Sequence, residues 1–324
     1  MTAPLDWPAL VEEAILRRRA EGLTKKEHAA LAGVSRPTLA RFDRLDMRLS
    51  LANAYEILDV VGLAARSSHG EDQERFVHRS KARWQGLIEG LPENAPARFP
   101  DGWFAIDYRI DGVEIATPKK LLTVLGSADR KYTGWPPFWM PKQAAIAPSP
   151  VEDGIECWMG SPKAERAFGD AAHSDFWRAS LTGSVYLQRG YQEDCADGLS
   201  PATIFDLTLP IWRVGEVFLH AQHYCEALGL PAETGIELNV RYTGLAGREL
   251  KSWANAHRVL DDDRRARVPE AIGHVTISLG DVSNDLPVVV AAALQNLYLA
   301  FDLFAPPQSL FVEELRSLRR SPRR

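Results

Sequence analysis

The sequence predicts an α+β protein in two parts. An all-α N-terminal domain covers residues 1–66 and a larger mixed α+β domain covers 102–324, joined by a helical, Pro-rich connector over 67–101. Three observations carry this. Residues 6–63 hold four amphipathic segments, each opened by a capping residue. The stretch "PENAPARFPDG" at 92–102 is a Pro-rich break. Beyond it, short alternating apolar runs are interspersed with two long helical patterns.

The elements follow in order. "DWPALVEEAILRRRAEG" has Asp6 as N-cap, Pro8 in the first turn, acids early, bases late and Gly22 as the stop. Thr24 opens "KKEHAALA", with Glu27 at capping-box spacing. Ser35 opens "RPTLARFDRL", where Pro37 falls in the first turn and its missing N–H costs little. Ser50 opens "LANAYEILDVVGL". The expected core of this domain is Leu23, Ala29, Leu31, Val34, Leu39, Phe42, Leu51, Ile57 and Leu58. In the connector, "RSSHGEDQE" is polar and "RFVHRSKARWQGLIEGL" reads as one further helix.

From residue 102, "WFAIDYRI" and "VEIAT" flank Asp111-Gly112 as a β-hairpin would. Thr117 caps "PKKLLTVLG", and residues 127–176, rich in Trp, Pro and Gly, read as long packed loops with an edge strand. "GSVYLQRGY", "GIELNVRYTGL" and "HVTISL" read as strands. "LPIWRVGEVFLHAQHYCEAL" and "LPVVVAAALQNLYLAFDLF" read as helices, and "SLFVEELRSLRR" as a terminal one.

Composition excludes several classes. With 324 residues, 45% hydrophobic and 25% charged, the chain is ordinary for a folded protein of about two domains. Its longest clean apolar run, "LPVVVAAAL", is about half of a membrane span, so a buried helix is expected there. The N-terminus places its charge after the apolar residues, unlike a signal peptide, which predicts a cytoplasmic protein. Three scattered cysteines without a Cys-x-x-Cys pair predict reduced, mostly buried thiols. His220 and His223 lack partners at zinc-ligand offsets. No metal, no cofactor and no catalytic residue is assigned: there is no G-x-S-x-G elbow, no H-E-x-x-H and no Walker loop.

The stretch "ALAGVSRPTLARF" at 30–42 carries the strongest functional signal. A short helix, a Gly-centred turn and a second helix opening on Ser-Arg-Pro-Thr place Ala29, Gly33, Val34, Leu39 and Phe42 inward. Residues 24–44, and more loosely 8–63, resemble the helix-turn-helix of the Cro/C1 (Xre) phage-repressor type. The resemblance implies a DNA-binding domain whose second helix faces the major groove with Ser35, Arg36, Pro37, Thr38, Ala40, Arg41 and Arg44. Arg36 and Arg41 are candidates for bidentate bonds to guanine, and Ala40 and the Thr38 methyl for contact with thymine. Lys25, Lys26 and Arg48 are better placed for phosphates. Acidic and basic residues balance through residue 63, and the whole chain carries −5, so any DNA contact must be local. A hairpin used only for packing is the alternative.

The larger domain is less legible. Polar groups gather at "HSDFWRAS" (173–180), "RGYQEDC" (189–195), "WRVGE" (212–216) and "RYTGLAGRE" (241–249). Arg213 and Glu216 sit i,i+3 on one helix, a spacing that suits an ion pair. "GLAGRE" follows a predicted strand as a phosphate-binding turn would, although a plain turn fits as well. Trp135, Phe138, Trp139, Trp158, Phe176 and Trp177 either anchor loops or line a pocket against the helix at 211–228. Trp177, Arg178, Arg213, Glu216 and Arg248 are the candidate ligand-binding residues, the arginines for an anionic group. "DFWRASLTGSVYLQRGYQED", "FDLTLPIWRVGEVFLHA" and "RYTGLAGREL" are loosely similar to the region that follows AlbA/Schlafen-like DNA-binding domains in bacterial regulators. That resemblance implies a partner architecture more than an activity.

The expectation is therefore a sequence-specific transcription regulator that binds a double-stranded DNA operator as a homodimer. Its C-terminal domain is expected to sense a small molecule or protein, without membrane contact. An antitoxin-like protein-binding regulator and a DNA-tethered nucleic-acid-processing enzyme are the alternatives.

Overall fold

The computed structural model describes residues 6–46, 48–63, 68–165, 169–260, 262–303 and 306–320. They fall into two compact units, 1–74 and 75–324, each described by itself.

The first unit contains α1 (Trp7–Ala20), α2 (Lys25–Leu31), α3 (Arg36–Asp43) and α4 (Leu51–Val60). Each helix has its expected cap: Asp6 accepts from the Ala9 amide, Ser35 from Thr38 and Ser50 from Asn53. Thr24 and Glu27 close a reciprocal capping box. Val11, Ala14, Ala29, Leu39, Phe42, Ile57 and Leu58 form the core. His28 is buried with them and ties α2 to the end of α4, its Nε2 lying 2.8 Å from the Ile57 carbonyl oxygen.

Leu31 departs from the expected core and is 65% exposed. His28, Ala29 and Ala32 already fill the inward face of this short helix, and Leu31 falls off that stripe. Leu23 and Val34 are only half-buried, and the Leu51 side chain lies outside the described residues.

A charged pair completes this small core. Arg18, buried on α1, donates to both carboxylate oxygens of Asp43 at 2.9 and 3.0 Å, and Lys25 Nζ stands 2.7 Å from Asp43. Burial alone would raise the Asp43 pKa, but Arg18 and Lys25 together hold it below the usual carboxylate range.

The second unit is a seven-stranded antiparallel sheet with helices on both faces. Its strands are β1 (Trp103–Ile110), β2 (Ser149–Val151), β3 (Gly154–Trp158), β4 (Phe176–Ser180), β5 (Ser184–Gly190), β7 (Gly235–Thr243) and β9 (Glu270–Ser278), in the order β2-β3-β4-β5-β1-β7-β9. β6 (Ile204–Asp206) and β8 (Glu249–Lys251) form a separate parallel pair. The helices are α5 (Ser68–Ile88), which spans the division between the units, α6 (Pro118–Ala128), α7 (Leu209–Leu228), α8 (Leu279–Leu299) and α9 (Gln308–Arg320). None of the described helices is long and apolar enough to cross a membrane.

Side-chain alternation assigns the faces. Ile106, Tyr108, Leu238, Val240, Val185 and Trp177 share one core with α6–α9. The neighbouring residues Ala105, Tyr186 and Phe176 share another with Phe76, Trp84 and Ile88 of α5. Residues 75–88, expected in the connector, thus belong to the α+β unit. Gly273 lets α8 lie close on β9, since a Cβ there would stand 1.9 Å from the Ala293 carbonyl oxygen.

Two local expectations change. Asp111-Gly112 forms a turn, with Gly112 at φ +71, but no strand follows it. β5 and β7 occupy both edges of β1, so residues 113–116 have no edge to pair with. Val113 and Ile115 enter the core instead. Residues 176–180, read only as a polar cluster, are β4. α8 also begins earlier than expected and breaks at Asp285, ahead of Pro287, where the helical ladder loses a donor.

Asp43→Ala should destabilise the first unit by about 3 kcal/mol, because it strands the buried Arg18 charge. Hydrogen exchange would show α1–α3 amides accelerated and β1 amides unchanged. Parental exchange in α1–α3 would mean that the pair does not hold the unit. The contribution of Asp43 should be fully present above the ordinary carboxylate range and lost as pH falls through its depressed value.

Candidate functional site

In the first unit, the turn between α2 and α3 is made by Ala32, Gly33 and Val34. Gly33 takes φ +62, the left-handed conformation that glycine adopts at low cost. Ser35 then caps α3, its Oγ also lying 2.7 Å from Thr38 Oγ1, and Pro37 stands in the first turn. Leu39 and Phe42 are buried, with Phe42 edge-on to Trp7 at 5.6 Å.

The expected reading face separates by partner. Lys25 is paired with Asp43, and Arg48 with Asp46, whose pKa falls to about 2 chiefly through hydrogen bonds from Arg48. Arg44 Nε donates to the Ala40 carbonyl oxygen at 3.0 Å. Ser35, Arg36, Pro37 and Arg41 are exposed, and Thr38 and Ala40 half-buried. Among the described residues, Lys26, Arg36 and Arg41 make no side-chain hydrogen bond or ion pair.

In the second unit, a cavity of about 300 Å³ opens between the loop at 133–135, the short turn Ala171–His173, the end of β5 and the start of α7. Phe104, Trp135, Tyr191, Phe205 and Tyr242 supply its aromatic wall. Its polar lining includes His173, Arg189, Gln192, Glu193 and Arg213.

Each polar group is held from behind. Arg189 donates through Nε and Nη2 to the fully buried Asp175, and through Nη2 to the Pro136 carbonyl. Trp135 Nε1 donates to the same carboxylate at 3.1 Å. Arg213 donates to Thr133 Oγ1, the Trp135 carbonyl, Glu216 and Gln192. Burial lowers its pKa against the opposing pull of Glu216. His173 Nδ1 is 2.7 Å from Asp170. Glu193 Oε1 accepts from the Asp206 amide, and burial, not offset by that bond, raises the Glu193 pKa to about 7. Asp206 in turn accepts from the Thr208 and Leu209 amides, each at 2.7 Å, and so fixes where α7 begins.

Of the five candidate ligand residues, only Arg213 lines this cavity; Glu216 lies behind it as its partner. Trp177 is a core anchor that donates to the Trp139 carbonyl. Arg178 is its neighbour on β4 and therefore points to the opposite face, where it pairs with Asp153 and lies over the Phe76 ring. Arg248 is wholly buried and paired with Asp194, so "GLAGRE" is a structural turn. Sequence reading named the stretch 189–195 without selecting Arg189, Tyr191 or Glu193. The signal was a polar cluster at the end of a strand. Of the six aromatics named as anchors or pocket wall, only Trp135 lines this cavity, and Phe138, Phe176 and Trp177 are fully buried core residues.

His220 is buried beside Tyr108 Oη, and desolvation pushes its pKa down to about 3. Among the described residues, no group of His, Cys, Asp and Glu is arranged to hold a metal ion. Among the described residues no Ser or Cys lines the cavity, and the Thr133 hydroxyl is engaged by Glu216 and Arg213. Comparison of the chain with known protein families, characterised proteins and solved structures gives no match.

A raised Glu193 pKa means that ionisation opposes folding. The stability linked to its protonation should be fully present below about pH 4.5 and lost as pH rises through about 7. Glu193→Gln keeps an acceptor for the Asp206 amide and cannot ionise. Denaturant titration should find it more stable than the parent at pH 8.5, by about 2 kcal/mol, with the gap closing near pH 5. An equal difference at both pH values would remove Glu193 as the titrating group.

Proposed function

We propose that this chain is a sequence-specific DNA-binding transcription regulator that acts as a homodimer and carries a ligand-sensing α+β unit. The observation that supports it is the state of the cations on the first unit. Arg36 and Arg41 stand exposed on α3 with no hydrogen bond or ion pair among the described residues, while Arg18, Lys25 and Arg48 are all paired. A helix joined to α2 through a positive-φ glycine and backed by Leu39 and Phe42 has the layout of a groove-reading helix. Its charge is local, consistent with recognition of a few bases rather than general adhesion to nucleic acid.

One such head makes few contacts. Two heads on half-sites about one helical turn apart reach useful affinity through effective concentration, which is why the reading includes a dimer. The cavity of the second unit supplies the sensing half: it is concave, largely aromatic and provided with a few fixed polar groups.

The test begins with selection of bound duplexes from a random pool by the full chain. An enriched inverted repeat is expected. Arg36→Ala and Arg41→Ala should each weaken binding to that site by about 1–3 kcal/mol and relax preference at one base position. Melting temperature should hold, because both side chains are exposed and make no hydrogen bond or ion pair among the described residues. A pool with no shared motif, or variants that bind the selected site as the parent does, would sink the reading.

A further inference from the structure

We infer that the cavity of the second unit binds a small organic cation, an amine or ammonium group on an apolar body, with Glu193 as its counter-charge beside the aromatic wall. Phe104, Tyr191, Phe205 and Tyr242 pack on one another with centroids 5.4–6.3 Å apart. Trp135 adds a fifth ring from the loop at 133–135. A volume of about 300 Å³ suits a body of one or two rings. Aromatic faces carry negative charge density, so they attract a cation that has left water.

Charge decides what the rings hold. Each basic side chain of the lining already faces a carboxylate: Arg189 meets Asp175, Arg213 meets Glu216 and His173 meets Asp170. Glu193 is the carboxyl group of the lining, and it makes no ion pair among the described residues. Its Oε1 accepts from the Asp206 amide, whereas Oε2 makes no hydrogen bond among the described residues and keeps some accessible surface. The Glu193 charge also reaches Tyr242, whose pKa is raised by burial and then by Glu193, so the carboxyl group stands near that ring.

The groups around Glu193 leave it without a cation. Arg248, stacked on the Tyr191 ring, is bidentate to Asp194. Asp206 adds a further carboxylate, which meets amides and a hydroxyl. The local balance is therefore negative, so an incoming anion is opposed and a cation is drawn in. An ionised carboxylate buried in this way is costly alone, and burial accordingly raises the Glu193 pKa to about 7. A bound ammonium group supplies the missing partner, and Glu193 releases its proton to solvent as the cation enters.

This deepens the sensor half of the proposed function and rests on it. The test contains no DNA, so its failure and the failure of operator recognition are separate results. Three probes with one body and different charge are titrated calorimetrically into the full chain at pH 8: 2-naphthylmethylamine, 2-naphthylmethanol and 2-naphthoate. The amine is expected to bind, the alcohol about tenfold more weakly and the carboxylate more weakly again. Amine affinity should fall about tenfold from pH 8 to pH 6, as Glu193 keeps its proton, while alcohol affinity stays level. Glu193→Gln should bind the amine no better than the alcohol and lose the pH dependence, which separates Glu193 from His173 on the same lining. Its unchanged binding of the alcohol would report an intact cavity. Alcohol or carboxylate binding as tight as the amine, no amine binding up to about 1 mM, or an amine preference that survives in Glu193→Gln would overturn the proposal.

Discussion

The second unit depends on one buried cation. Arg248 is 0% exposed, and every part of its guanidinium is used. It meets Asp194 with Nη1 and Nη2 at 2.7 and 2.6 Å, and donates to the carbonyls of Gly244, Ile204 and Asp101. Its centre lies 4.7 Å from the Tyr191 ring. Burial would lower its pKa, but the Asp194 carboxylate beside it holds it above the ordinary value. A charge taken this far from water is tolerable only when its whole hydrogen-bonding capacity is met, and removing a partner from such a pair costs about 3–5 kcal/mol. Arg248 therefore joins four segments that are distant in sequence: the lead into β1, the turn at 193–195, β6 and the turn after β7.

The cavity inherits its shape from that clamp. Asp194 is fixed by Arg248, which sets the adjacent Glu193 and places its carboxyl group against the Asp206 amide. Asp206 then gathers the first amides of α7 on one carboxylate oxygen and the Ala254 amide on the other. The start of α7 positions Arg213, whose guanidinium holds the loop at 133–135 over the opening. Each step is a charged group satisfying backbone donors or acceptors, so the polar lining is pre-positioned rather than free to collapse onto itself.

Much of the helical layout was legible because its signals are local. Thr24, Ser35, Thr117 and Ser50 cap their helices within three residues of themselves, and periodicity marked α6, α7 and α9. The strands β7 and β9 were also readable from alternation, and the seven-residue β5 was read as a strand although it is buried throughout. β4 was not, because "FWRAS" is only five residues long and buried throughout, too short a run to show a period. The partners of the arginines were not legible either. Arg178 meets Asp153 across a β-hairpin, and Arg248 meets Asp194 across 54 positions. No spacing rule says which carboxylate a distant cation will find. Missing β4 had a direct consequence: Trp177 and Arg178 look like one constellation in sequence, but a strand sends them to opposite faces.

The two units treat cations in opposite ways, and that contrast bears on what each can recognise. In the second unit, the arginines on or near the cavity are neutralised from within, by Asp175, Glu216 and Asp194. Such a lining carries fixed polar groups in an aromatic surround, each cation already matched by a carboxylate. In the first unit, Arg18 and Lys25 converge on Asp43 and close the core, which leaves α3 held firmly enough to present Arg36 and Arg41 outward. Those two side chains are solvated and unspent, so a polyanion meeting them gives up little to form new bonds. The net charge of −5 conceals this division, because it adds together the internally paired arginines of the second unit and the exposed pair on α3.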